Sequence, residues 1–322
     1  MIRILVTLVL AFLLVPTVAS TTLAAEPLPS LKVLIPANPG GGWDQTARAM
    51  ERALRAEKLV SGAIQLENKG GAGGTIGLAQ FARAKGEGRH LMMMGLVMVG
   101  AILTNKSAVT LDAVTPVARL TSESLVIAVP ASSKLQSLKD FVEALKSNPG
   151  ATAIVGGSRG GTDHILAAIV AESVGVPGSK VNYVAYAGGG EAVAALIGAQ
   201  AAAGISGYGE FQAHIESGKL RALGISAPAR VPGINVPTLK EQGVNVELGN
   251  WRGVVAPAGV SAADRKALLD TIDAMAKSPS WKAEMKKQNW EDAYLAGDAF
   301  AAYIKGQNEQ IGKTLKEVGM VK

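Results

Sequence analysis

Short β-branched runs alternate with helices of amphipathic spacing along most of this chain. Leu31-Lys32-Val33-Leu34-Ile35 predicts a strand and is followed by a glycine loop; Asp44 to Lys58 then predicts a helix with Ala47, Met50 and Leu54 on one face. Ala63 to Leu66 is the next strand, before a second glycine loop and a helix from Thr75 to Lys85; His90 to Met94 gives a third strand. Leu138, Phe141, Val142 and Leu145 have the i, i+3, i+4, i+7 spacing of a helix face. Ala153 to Val155 with a helix from Thr162 to Ser173 repeats the unit, as does Val181 to Val184 with the helix after Gly190. Leu268, Ile272 and Met275, then Phe300, Ile304, Ile311, Leu315 and Val318, predict two amphipathic helices near the end. Strands alternating with helices give an α/β class.

Two apolar strands stand apart, Leu125 to Val129 ending in Pro130 and Trp251 to Ala256 ending in Pro257. Each follows a polar stretch, so each is expected to cross between two domains. The first lobe is then discontinuous, residues 26–124 plus 249–322, and the second is residues 125–248.

The first 25 residues change the compartment. Arg3 precedes Ile4 to Val15, an apolar run broken only by Thr7, and small residues follow in Val18-Ala19-Ser20 and Thr22-Leu23-Ala24-Ala25. That order describes a secretory signal, because twelve residues are too few to span a bilayer. Leu91 to Leu103 is also apolar but holds two glycines and reads as a buried strand entering a helix. With no cysteine in the chain, disulfides, thiolate metal sites, a cysteine nucleophile and N-terminal lipidation are excluded. The expected product is a periplasmic, soluble and monomeric protein without a lipid anchor. Removing the signal lowers the formal charge from +6 to +5, with the basic residues scattered. No basic stripe with stacking aromatics exists for a nucleic acid, whereas a mild positive field suits small anions.

The glycines cluster where strands give way to helices: Pro39-Gly40-Gly41-Gly42-Trp43-Asp44, Gly70-Gly71-Ala72-Gly73-Gly74-Thr75, Gly156-Gly157-Ser158-Arg159-Gly160-Gly161-Thr162-Asp163 and Gly188-Gly189-Gly190-Glu191. A helix starts with amides that lack intrahelical partners, and its dipole adds positive charge there. Glycine lets an anion reach those amides, so the loops predict carboxylate or phosphate binding. Ordinary turn chemistry is the competing reading for any one loop.

Nucleotide motifs fail: Ile76 stands where a dinucleotide fingerprint needs glycine, and Gln307 where a P-loop ending in Gly312-Lys313-Thr314 needs one. Gly156-Gly157-Ser158-Arg159-Gly160 matches the nucleophile elbow of a serine hydrolase. The histidines that follow are His164, six residues on, and His214, and neither suits the triad order. His90, His164 and His214 are too scattered for a metal site, and no cofactor is expected.

The chain resembles the substrate-binding component of tripartite tricarboxylate transporters, the TctC or Bug family. The resemblance rests on Ile35 to Asp44, on Glu67-Asn68 with Gly71 to Gly77, and on Gly156-Gly157-Ser158 with His164. It extends to Lys219 to Leu223, Val236 to Glu241 and Trp251 to Pro257. It implies a two-lobed periplasmic-binding-protein fold (a Venus flytrap, type II-like) with the ligand between the lobes. Loops Pro39 to Asp44 (Pro39, Gly40, Gly41, Gly42, Trp43, Asp44) and Ala72 to Thr75 (Ala72, Gly73, Gly74, Thr75) would hold one carboxylate by main-chain amides. The second lobe would close with Gly157, Ser158, Gly161, Thr162, Gly189, Gly190, Ser206 and Tyr208. The implied partners are a small carboxylate and a large and a small integral membrane subunit. Trp43 and the Asn250-Trp251-Arg252 run suggest the tricarboxylate branch, citrate being an example, with Arg252 meeting a second carboxylate or forming an ion pair. Asp44 is expected to cap its helix rather than touch ligand, and Trp43 to line the cleft. The alternatives are a carboxylate-sensing adaptor in signalling and a hydrolase using Ser158. The mature protein is expected to begin near Ala25 or Glu26; N-terminal sequencing of osmotic-shock protein checks this, and an intact Met1 on cytosolic protein would refute it.

Overall fold

The structure is a computed structural model that describes residues 26–322 apart from Gly188; the expected signal, residues 1–25, lies outside the described residues. Strand β1 (Leu31–Ile35) leads through helix α1 (Gly42–Ala56) to β2 (Ile64–Asn68), then through α2 (Thr75–Phe81) to β3 (His90–Gly95) and directly into α3 (Leu96–Thr104). β1 lies between β2 and β3, parallel to both. β4 (Val114–Pro130) follows, 17 residues in one strand.

β4 belongs to both lobes. From Val114 to Ser124 it pairs antiparallel with β9 (Gly249–Pro257), which in turn pairs with β3. From Leu125 onward it pairs instead with β7 (Ala203–Gly207) and β8 (Leu220–Ile225). The second sheet is completed by β5 (Ile154–Gly156) between β7 and β6 (Tyr183–Ala185), all parallel. Helices α4 (Leu138–Ser147), α5 (Thr162–Ser173), α6 (Gly189–Ile197) and α7 (Tyr208–Glu216) cover that sheet. Leu125, Ile127 and Val129 pack with Phe141, Leu145 and Leu166 on one face, while Val126 and Ala128 pack with Leu196 and Phe211 on the other. A strand covered on both faces reads as an unbroken apolar run, which explains this segment's composition. The first lobe's core joins Val33, Met50, Leu54 and Met92 to Val254, Ile272 and Phe300 from the chain's far end.

The chain's end adds α8 (Ala262–Lys277), α9 (Pro279–Gln288), β10 (Glu291–Ala296) and α10 (Gly297–Glu317). β10 pairs with β4 across a register shift and is half-exposed, so it lacks the alternation that marks a strand in sequence. α9 is set off by Ser278, whose hydroxyl accepts the Trp281 amide at 3.1 Å, with Pro279 at the first helical position. Among the described residues no helix is long and apolar enough to cross a membrane.

One expectation changes here. Trp251 to Ala256 does not cross between lobes; β9 pairs only with β3 and the first-lobe half of β4. The chain returns just before it, beside Leu248. Ser226, 1% exposed, knits the two passages together. Its amide donates to the Leu125 carbonyl at 2.8 Å, and its carbonyl accepts the Leu248 amide at 3.1 Å. Its hydroxyl accepts from the Leu125 amide at 2.9 Å and donates to the Leu248 carbonyl at 2.6 Å. Ser226→Ala strands a buried donor and a buried acceptor, each worth about 1–3 kcal/mol. The expected loss is about 2–4 kcal/mol in urea unfolding followed by circular dichroism; a loss below about 0.5 kcal/mol would show that neither group depends on the hydroxyl.

Candidate functional site

Between the lobes lies a cleft with a cavity volume of about 70 Å³, lined from the first lobe by Pro36, Ala37, Gly41, Gly42, Trp43, Val97, Asn250 and Arg252. The second lobe contributes Gly157, Ser158, Asp163, Ala187, Gly189, Ser206 and Glu210. Helices α1, α3, α6 and α7 all begin at this cleft, because strands of both sheets end there and each following helix turns away from the opening.

Each of α1, α5, α6 and α7 carries an acid in its first turn: Asp44, Asp163, Glu191 and Glu210. Three of these acids, Asp44, Asp163 and Glu191, take up amides that the glycine count had assigned to a ligand. Asp44 accepts the Gly40 amide at 3.0 Å, and Arg48 and Asn68 hold the same carboxylate at 2.8 and 3.0 Å. It is the third helical residue rather than the cap, which is Gly41, and it does not line the cleft. Asp163 accepts the Gly157 amide at 2.7 Å, Glu191 accepts that of Ala187 at 3.2 Å, and His164 Nδ1 accepts that of Gly160 at 3.0 Å. The Gly161 amide donates to the Ser158 carbonyl at 2.9 Å. The first amides of α1, at Gly42 and Trp43, lie beyond the last internal acceptor and open onto the cleft.

At the base of the cleft Arg252, 2% exposed, forms an ion pair with Glu123, also 2% exposed. Trp290 Nε1 donates to the other Glu123 oxygen at 3.2 Å. The guanidinium lies 4.0 Å from Glu210, whose carboxylate also accepts the Ser206 hydroxyl at 2.7 Å. It packs against Gly42, where any Cβ would overlap it. Arg252 Nη1 is buried and has no hydrogen-bond partner among the described residues. Glu123 and Glu210 thus flank one guanidinium, and the buried Asp163 lines the same cleft. Burial pushes Glu123 up to about 7, against the pull of Arg252 and with a push from Glu210. Burial and then the Glu210 charge push Asp163 up to about 7 as well. Like charges 4 Å apart repel by about 4 kcal/mol at the effective permittivity of such sites, so an added carboxylate beside Asp163 or Glu210 is unwelcome.

A family profile described as "Tripartite tricarboxylate transporter family receptor" matches residues 47–320. The chain belongs to this family. Protein BugT of Bordetella pertussis is 29% identical over 248 residues, 75% of this chain and 74% of that protein. The structure of the periplasmic binding protein BugD superposes with a TM-score of 0.83 at 25% identity, covering 91% of this chain and 98% of that one. MatC from Rhodopseudomonas palustris, solved with bound malate, superposes with a TM-score of 0.80 at 22% identity, over 89% and 98% of the two chains, a likeness of fold. The two-lobed α/β fold expected from the resemblance is the fold of these relatives.

Within this receptor, the remaining expected site residues are distributed as follows. Gly189 lines the cleft, while Pro39, Gly40 and Gly190 meet where the lobes touch: a Cβ on Gly40 would lie 4.0 Å from the Gly190 Cα. Asn38 donates to Glu191 across the same mouth at 2.8 Å. Ala72 and Gly73 line a neighbouring opening with Asn105, Ser158, Arg159 and Tyr186. Gly71, Ala72, Gly73 and Gly74 all have positive φ, so glycine there serves the turn itself. A Cβ on Gly73 would collide with Ala101, so a Gly73 variant reports on folding before it reports on binding. Trp43 lines the cleft with one edge and covers Gly74 with another. The Thr75 hydroxyl donates to the Ala72 carbonyl at 2.9 Å, and that of Thr162 to Asn250 Oδ1 at 3.1 Å, so both face protein partners. Tyr208 is buried in the second lobe's core rather than lining the cleft. Ser158 lines the cleft, yet His164 is stacked on Tyr183 with ring centroids 4.3 Å apart and already accepts the Gly160 amide. Burial, then Arg159, holds His164 down to about 4, a poor general base.

Sequence reading missed Glu123, Asp163 and Glu210. The signal for two of them was present as an acid in the first turn after a glycine loop. Asp163 titrates near 7 in the folded protein and near 3.8 when exposed. Between those values the folded state holds a proton that the unfolded state releases, so wild-type stability falls as pH rises from 4 to 7 and the full cost stands above 7. Asp163→Asn removes that cost and keeps an acceptor for Gly157. Its stability relative to wild type should therefore grow from pH 4 to 7 by a few kcal/mol and then level, as urea titrations at each pH would measure; a difference independent of pH would contradict the assignment.

Proposed function

We propose that this protein is a periplasmic solute receptor that binds a small organic carboxylate between its lobes and delivers it to the large and small membrane subunits of a tripartite transporter. The observation that carries the reading is the start of α1. Its first amides open onto a closed-in cleft at the junction of two lobes, while its own acid, Asp44, is turned away to Gly40, Arg48 and Asn68. A carboxylate placed there meets unpaired amides and the positive end of the helix dipole. Arg252 Nη1 offers a further donor from the same lobe. Lobe closure about the two passages at Leu125 and Leu248 would bring Gly189 and Ser206 onto the ligand's other side.

Citrate, the ligand class expected from Trp43 and the Asn250-Trp251-Arg252 run, brings three charges to a cleft whose one cation already faces Glu123. It enters the test as a competitor. A sensing adaptor would use the same closed form, and no feature of the cleft favours it over transport. Hydrolysis by Ser158 lacks a partner base, since both His164 contacts are with other groups.

A thermal-shift series over small mono-, di- and tricarboxylates and their methyl esters tests the reading. At least one free acid should raise the melting temperature, by mass action, where its ester does not. Gly190→Phe, a wedge at the mouth where Gly190 approaches Pro39, should abolish that rise while leaving the unliganded melting temperature near wild type. A series in which no acid stabilises the protein, or esters do so equally, would sink the carboxylate reading.

A further inference from the structure

The two lobes present opposite electrical faces to the cleft. From the first come the α1 amides and Arg252; from the second come Asp163 and Glu210. Glu123 lies beneath Arg252 on the first-lobe half of β4, and its carboxylate is already held by Arg252, Trp290 and Asn250. The second-lobe carboxylates are less fully engaged. Asp163 has one hydrogen bond, to the Gly157 amide through Oδ2. Glu210 has one, to the Ser206 hydroxyl through Oε2, and reaches toward Arg252 across the cleft only to 4.0 Å. Both lie against glycines of the cleft wall: a Cβ on Gly157 would sit 3.0 Å from Asp163 Oδ2, and one on Gly189 would overlap Glu210 Oε1. Glu123, Asp163 and Glu210 are three acids near a single base, Arg252, and burial pushes Glu123 and Asp163 up to about 7, so these carboxylates are short of cationic partners.

We propose that the cleft selects an amino carboxylate, with its carboxylate on the α1 amides and Arg252 of the first lobe and its ammonium group against Asp163 and Glu210 of the second. This rests on the carboxylate-receptor reading and narrows it. Two independent features point the same way. The acids call for a cation with several donors, and the unpartnered, buried Arg252 Nη1 calls for an acceptor a short distance away. One ligand bearing both groups satisfies both. Among the described residues no three acidic or histidine side chains converge to hold a metal ion, so an organic cation fits the acids better than an inorganic one. A hydroxyl would supply a donor to one acid but no positive charge to either. Burial first, and then the neighbouring Glu210 charge, raise the affinity of Asp163 for protons, and a cation beside both acids would offset that second cause.

The arrangement also gives the ligand a part in closure. In an open form the carboxylate end is held by one lobe alone, and the ammonium end meets its partners only when the second lobe swings in. The Arg252–Glu210 approach at 4.0 Å is the same cross-lobe attraction made without a ligand. A polycarboxylate would place a like charge where the ammonium belongs, so selectivity follows from the sign of the second lobe's charge.

Isothermal titration with matched pairs tests this, each pair an amino acid and the same carbon skeleton without its amine, such as glutamate with glutarate, alanine with propionate and 4-aminobutanoate with butanoate. At neutral pH at least one amino acid should bind about tenfold or more tighter than its deaminated partner, the factor expected for a charge-assisted hydrogen bond. In Asp163→Asn and in Glu210→Gln that ratio should shrink, and in the double variant it should approach one. If deaminated acids or citrate bind as tightly as the amino acids, the inference fails while the carboxylate reading stands. A wild-type ratio that survives in the double variant also overturns it, because the amine would then be recognised elsewhere. If no acid of either kind binds, both readings fail.

Discussion

At Ser124 the backbone of β4 leaves one sheet and at Leu125 it enters another, without a break in the strand. The rest of the architecture depends on that passage. One strand cannot twist independently in two sheets, so the lobes share a fixed line of contact, and the return of the chain at Leu248 must lie beside it. Ser226 meets both passages with its amide, its carbonyl and its hydroxyl. With no cysteine in the chain and, among the described residues, two backbone passages between the lobes, the relation of the lobes is set by hydrogen bonding and packing.

The cleft inherits its chemistry from the same geometry. Strands that end at a lobe junction direct the starts of the following helices toward it, which explains the convergence of α1, α6 and α7. Glu123 and Arg252 sit on the two strands nearest the junction, β4 and β9, and are buried among groups of both lobes, Gly42 and Trp290 from the first and Gly207 from the second. A charge buried alone would cost several kcal/mol, so each is tolerable there only with the other. Arg252 is therefore a structural counter-ion first and a ligand donor second, through the Nη1 that Glu123 leaves unengaged.

Much of the fold was legible in the sequence because periodicity reports burial. Thr162 to Ser173 is the helix its pattern predicts, and Leu31 to Ile35 the strand. β10 was not legible, since an exposed edge strand carries no alternation, and the return passage was misplaced because β9 is as apolar as a crossing strand while lying wholly in one core. The site was legible in outline. Glycine loops located the cleft, but counting glycines overstates the amides available to a ligand when the chain supplies its own acceptors. Asp163 and His164 each take one within the Gly156 to Thr162 loop, and the positive φ values from Gly71 to Gly74 assign that run to backbone geometry. Tyr208 followed the same rule in reverse: a polar residue after a glycine, it faces the core.

The first-turn acids carry one more implication. Of the helix amino ends at the cleft, those of α1, α5, α6 and α7 already have a counter-charge from their own first turn, and α3 alone among them has none, so the field beyond the mouth is reduced. Long-range attraction decays over about 8 Å in physiological salt, whereas hydrogen bonds inside a narrow cleft are screened far less. Recognition confined to contact distance leaves binding in such a cleft nearly indifferent to ionic strength.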